Sequence, residues 1–217
     1  MKVLISRYLA IISVLLLFND LAGHCSELMA NSVPIQHLGN PSIEETKEIV
    51  DIFLNNPTEE NFKLIKSYIF PILEENKREV PAWTEWVEQL ISHCVERKEA
   101  YWIMEYEIFS DNQYMALFAR KLLEVSDGLG ASVLLTIFGK LTRMNPKLFL
   151  SIFKKDIRNP FVELALTKPI FYTGTELYEK YERFDLIKRI EKLRSITDPD
   201  LKSIRDYCIS ILERELH

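Results

Sequence analysis

Trp83-Thr84-Glu85-Trp86-Val87-Glu88-Gln89-Leu90-Ile91-Ser92-His93-Cys94-Val95 decides the fold class, because its apolar residues fall at 83, 86, 87, 90, 91, 94 and 95. Steps of three and four keep those side chains on one face of a coil with about 3.6 residues per turn, whereas a strand needs strict alternation. The stripe breaks at Arg97 and Lys98, and the same period recurs on both sides of it. Upstream lie Ile49, Val50, Phe53 and Leu54, then Phe62, Ile65, Ile69 and Ile72, where Pro71 is expected to kink the end of the helix. Downstream the spacing predicts an aromatic helix over 100–109 and another over 112–125 on Met115, Phe118, Ala119 and Leu122. Further stripes follow at Leu134, Ile137, Phe138 and Leu141, at Leu148, Phe149, Ile152 and Phe153, and in a short element over 161–166. Leu177, Tyr178 and Tyr181 lead into Leu186, Ile187, Ile190 and Leu193, and a last helix carries Leu201, Ile204, Cys208, Ile211 and Leu212.

The punctuation between stripes is that of helix starts. Asn-Pro occurs at 40–41, 56–57, 145–146 and 159–160, with Asp198-Pro199 as a relative. A side-chain oxygen can take a free amide of the first turn, and proline fits the first helical position because it has no N–H to leave unpaired. Ser42 with Glu45, and Thr173 with Glu176, have capping-box spacing. Only six glycines occur in 217 residues, so a turn-rich β fold lacks its usual turn residues. The expectation is an all-α chain of about ten short antiparallel helices. In architecture it resembles an irregular HEAT or armadillo array, without a consensus repeat, and an irregular bundle is the alternative.

Lys2 and Arg7 precede an uncharged run, Leu9 to Phe18, and a more polar stretch begins at Asp20. That order is the grammar of a secretory signal. Even counted from Tyr8, the run rises only about 16 Å as a helix, against a hydrocarbon core of roughly 30 Å, which argues against a permanent span. Residues 1–25 are therefore expected to be a signal peptide, 26–40 a flexible tether and 41–217 a single helical domain. Leu21-Ala22-Gly23-His24-Cys25 resembles the lipobox of bacterial lipoproteins, with His24 standing where a small residue belongs. The resemblance implies acylation of Cys25, the one route by which the chain is expected to touch a membrane. The expected location is the periplasm or the exterior.

Export makes oxidation possible. Cys94 and Cys208 both lie on apolar stripes; a bond between them would close a loop of over a hundred residues, worth about 4 to 5 kcal/mol in the chain-entropy model. Two buried free thiols are the alternative. His93 is the one histidine inside a helical stripe. With Glu96 it has the spacing of two ligands on one face, but no third donor and no HExxH pattern accompany it, so neither a metal nor any other cofactor is expected. Glu85 and Glu88 flank Trp83 and Trp86, a pairing of acids and aromatic platforms that suits glycan cleavage. The tryptophans share the stripe with Leu90 and Ile91, however, which turns them toward the core and the glutamates toward water.

The net charge of −5 disfavours nucleic-acid binding, which draws on a surplus of Lys and Arg. The distribution is uneven. Residues 42–111 hold sixteen acids and seven bases, whereas Lys140, Arg143, Lys147, Lys154, Lys155 and Arg158 face only Asp156 within their stretch. Those six form a candidate docking patch for an acidic protein, an anionic lipid or an anionic glycan. The leading expectation is an exported, non-enzymatic scaffold that binds a protein partner. The alternatives are an envelope hydrolase acting on glycans through Glu85 or Glu88, and a periplasmic immunity-like inhibitor that blocks a toxic enzyme.

Overall fold

The computed structural model describes residues 41–78, 85–167 and 177–216. Among the described residues every regular element is helical and none is a strand. Helix α1 spans Ile43–Asn55 and opens on the expected capping box, with the Glu45 amide donating to Ser42 Oγ at 3.2 Å and the Ser42 amide to Glu45 Oε2 at 2.8 Å. Next come α2 (Glu59–Leu64), a π turn (Ile65–Ile69) and α3 (Phe70–Arg78) as one unbroken rod. Helix α4 (Glu85–Ile91) continues into a second π turn (Ser92–Glu96). Then follow α5 (Lys98–Phe109), α6 (Gln113–Leu123), α7 (Gly128–Met144), α8 (Pro146–Phe153), α9 (Pro160–Thr167) and α10 (Leu177–Arg194). A 3-10 turn at Pro199–Leu201 leads into α11 (Lys202–Glu215).

The expected start signals hold at three places. Asn145 Oδ1 accepts from the Leu148 amide, Asn159 Oδ1 from that of Phe161 and Asp198 Oδ1 from that of Asp200, each with a proline directly after the cap. At 56–57 the expectation is corrected: Asn56 closes α1, and Thr58, whose Oγ1 accepts from the Asn61 amide at 3.3 Å, caps α2, so Pro57 precedes the cap. Pro71 does not end its helix. A proline ring inside a helix collides with the carbonyl of the preceding turn, and the chain widens into the π turn just ahead of it, with the Phe70 amide reaching back to the Ile65 carbonyl.

The bundle is organised around α7, whose sequence GLGASVLLTIFGKLTRM carries no charge before Lys140. It packs against α5, α6, α8, α9, α10 and the second π turn, so apolar residues on most of its circumference are buried, Leu134, Ile137, Phe138 and Leu141 among them. Around it runs one continuous core. Phe53 meets Phe118 edge-on at 5.5 Å, and Phe138 meets Phe153 in the same way at 5.6 Å; each fully buried ring contributes about 1.5–3 kcal/mol. Arginines close helix ends from neighbouring elements: Arg120 Nη1 donates to the Ile152 carbonyl of α8 at 2.6 Å, Arg189 Nη1 to the Ala165 and Leu166 carbonyls of α9, and Arg205 Nη1 to the Ile196 carbonyl beyond α10. Helix C-termini carry unpaired carbonyls and partial negative charge, so a guanidinium there satisfies both.

The Cys94–Cys208 bond is not formed: both thiols are free and buried. The reason is where the stripes point. Cys94 sits in the second π turn, which packs on α5 and α7, whereas Cys208 sits in α11, which packs on α8, α9 and α10. The leader, Cys25, the tether at 26–40, Trp83 and the Thr173–Glu176 box lie outside the described residues.

Candidate binding surfaces

The residues with chemistry to offer resolve into four groups. Asp51 of α1 faces the rod of α4 and its π turn, where its Oδ1 lies 2.9 Å from His93 Nε2 and accepts from Arg97 Nη2 at 2.6 Å. Lys47, one turn earlier, donates to Gln89 at 3.3 Å, and Gln89 donates to Glu85 at 3.2 Å. The seam is thus built from residues four apart on both helices, 47 and 51 against 85, 89, 93 and 97. Sequence reasoning paired His93 with Glu96 and missed Asp51; the matching steps of four were the signal. The seam clasps α1 to α4. No group of three or more His, Cys, Asp or Glu able to hold a metal ion occurs among the described residues.

Glu85 and Glu88 are both exposed in the first turn of α4, while Trp86 packs against the core. Trp86 and the two carboxylates therefore lie on different sides of α4. Burial pushes the Cys94 thiol well above the ordinary thiol range and holds Cys208 up at about 12, which keeps both protonated near neutral pH.

The basic hairpin divides in two. Lys140 and Arg143 are engaged inside the fold. Lys140 Nζ lies 2.5 Å from Glu105 of α5, and Arg143 Nη1 lies 3.0 Å from Asp185 of α10. Partial burial opposes the Lys140 charge, yet the bonded Glu105 carboxylate and Tyr101 hold its pKa above the usual lysine value. Lys147, Lys154, Lys155 and Arg158 are exposed. Lys147 has one loose contact, 3.9 Å to Asp198, and the other three have no ion pair among the described residues. Ser151 and the C-cap Lys154 follow Lys147 by four and seven residues, so the three line up on the outer side of α8, which buries Leu148, Phe149, Leu150, Ile152 and Phe153.

That outer face borders a groove of about 560 Å³. Lys147, Leu148 and Ser151 form one wall, and Pro57, Gln113 and Tyr114 line it from α6 and the turn before α2. Asn112 and Asn145, the caps of α6 and α8, also border it, and Asn145 Nδ2 donates at 2.8 Å to Asp111. Asp111 is the one described non-glycine residue with a left-handed backbone, at φ 70°. Aspartate tolerates that conformation better than most residues. The Gln113 side-chain amide has no hydrogen bond among the described residues.

The fourth surface is the outer side of α5. Ala100, Met104 and Ile108 point into the core, yet Trp102 and Tyr106 are 60% and 69% exposed. Their spacing of four sets the two rings side by side, and Lys98 Nζ sits 4.7 Å from the Trp102 ring. The helix is apolar on both sides, one spent on packing and one left to solvent. Compared with known proteins, the chain matches no family model, no curated protein and no solved structure.

Proposed function

We propose that this chain is an exported, non-enzymatic helical scaffold whose stacked hairpins, an array of the HEAT or armadillo kind in outline, present surfaces to another protein. The observation that carries the reading is the pair of exposed rings on α5. Trp102 and Tyr106 are held largely in water, and tryptophan and tyrosine dominate the energetics of protein interfaces, because a rigid ring buries much area at little entropic cost. The apolar leader and Cys25 supply the address, with export by signal peptide and attachment to the membrane through acylation as the anchored variant.

A photoreactive benzoylphenylalanine in place of Tyr106 tests the reading in the native host. The expected result is a discrete heavier adduct containing one partner protein, lost when Trp102→Ala is added. Truncating an interface tryptophan commonly costs 2 kcal/mol or more, about thirtyfold in affinity. A uniform smear, or adducts indifferent to Trp102, would remove the ridge as an interface.

A further inference from the structure

The groove beside α8 and the cations along that helix form one surface. From this we infer that the surface takes an extended acidic peptide segment of a partner, with carboxylates three residues apart. The inference rests on the protein-binding reading, but on a different face from α5, so the two fail separately. Lys147 borders the groove and Lys154 follows it by seven residues on the same helical face. At about 1.5 Å rise per residue their backbones lie about 10.5 Å apart along α8. A peptide in the polyproline-II conformation rises about 3.1 Å per residue with three residues per turn, so side chains three apart project the same way about 9 Å from one another. That repeat matches the lysine spacing within the reach of their flexible stems.

The walls fit a peptide better than a bare polyanion. Pro57 and Tyr114 offer apolar contact, and the free Gln113 amide offers a donor and an acceptor to a peptide backbone. Lys147 is 70% exposed, and its 3.9 Å contact with Asp198 is too weak to withhold it. Lys155 and Arg158 extend the positive field past the end of the helix. Asp111 stands in the groove as well, held by Asn145, so the partner's carboxylates lie along the α8 wall, away from that aspartate. Lys140 and Arg143 take no part, since Glu105 and Asp185 already neutralise them.

The test uses the purified full-length protein and fluorescent proline-rich peptides with two glutamates three apart, two glutamates adjacent, or two glutamines. The three-apart peptide is expected to bind most tightly and to weaken as salt rises. Lys147→Gln with Lys154→Gln and Lys155→Gln should reduce its affinity about tenfold, Lys66→Gln, at an exposed position of the first π turn outside the groove lining, should leave it unchanged, and Ser151→Trp should block the groove with every lysine kept. Trp102→Ala with Tyr106→Ala should leave peptide binding intact. Equal binding of all three peptides, binding that survives Ser151→Trp, or loss on changing α5 each overturns the inference. So does lysine-dependent binding to phosphatidylglycerol vesicles or a sulfated polysaccharide without binding of the peptide.

Discussion

Replacing Asp185 by leucine should be among the most damaging single changes in this fold, and the neighbouring geometry says by how much. Arg189 is 1% exposed, and its guanidinium meets Asp185 Oδ2 through Nε and Nη2, each at 2.8 Å. Asp185 is itself 6% exposed and also accepts from Arg143 on its other oxygen. Leucine fills the space but removes the carboxylate that Nε and Nη2 of this buried guanidinium both contact, a loss of about 3–5 kcal/mol. Against the 5–15 kcal/mol typical of a domain, that is at least about a fifth of the total. Arg189→Met should cost less, about 2 kcal/mol, because Asp185 keeps Arg143 and the loss falls on the α9 carbonyls that Arg189 capped. The double variant should be more stable than Asp185→Leu alone, since it removes the buried guanidinium as well as its carboxylate, and Arg143→Gln should cost under about 1 kcal/mol at its half-buried position. Urea unfolding followed by circular dichroism measures all four. With a slope of about 2 kcal/mol/M, Asp185→Leu should shift the midpoint by about 2 M at unchanged slope. A shift under 0.5 M, or a double variant at least as unstable as the sum of the singles, would refute the reasoning.

Other consequences are smaller and as direct. A Cβ added at Gly130 would lie 2.6 Å from Cγ2 of buried Ile91, so Gly130→Ala should lower stability by about 1–3 kcal/mol in thermal melts; Gly128→Ala meets open space, but at φ +47° it should still lose about 1 kcal/mol to the left-handed backbone. An aromatic thiol reagent should modify Cys94 and Cys208 only at the rate of unfolding, and rapid labelling in native buffer would contradict their burial. Alkali should destabilise the fold. The folded thiol of Cys208 keeps its proton to about 12 while the unfolded one releases it near 8.5. This contribution is whole below the lower value and declines between the two, by about 1.4 kcal/mol per pH unit. Cys208→Ala should flatten that decline between pH 9 and 10, and an unchanged slope would count against it.

Helix content and most boundaries were legible because a period of three and four, a cap and a proline are local facts, and local physics decides them. Ser42 and Asn145 behave as their neighbours in sequence dictate. Where the reading failed, a partner distant in sequence decided the matter. Pro71 read as kinking the end of its helix because proline costs an ordinary helix a carbonyl contact, and nothing nearby in sequence announces the π turn ahead of it or the helix that runs on to Arg78. Cys94 and Cys208 read as a possible pair because both are apolar-face cysteines, yet a face says which side is inward and not which neighbour it meets. Charge was legible only as a sum. Six cations in one stretch looked like one patch, but Lys140 and Arg143 lie on α7, the helix with most neighbours, where Glu105 and Asp185 reach them, while α8 presents its lysines on the side its own core residues leave free. The same physics that makes a central helix needs its cations internally neutralised, because a charge removed from water must be compensated. A peripheral helix is under no such demand. Among the described residues, the loosely held cations at and just beyond α8 and the exposed rings of α5 are therefore groups whose chemistry the fold itself consumes little of, and that is the property a binding surface requires.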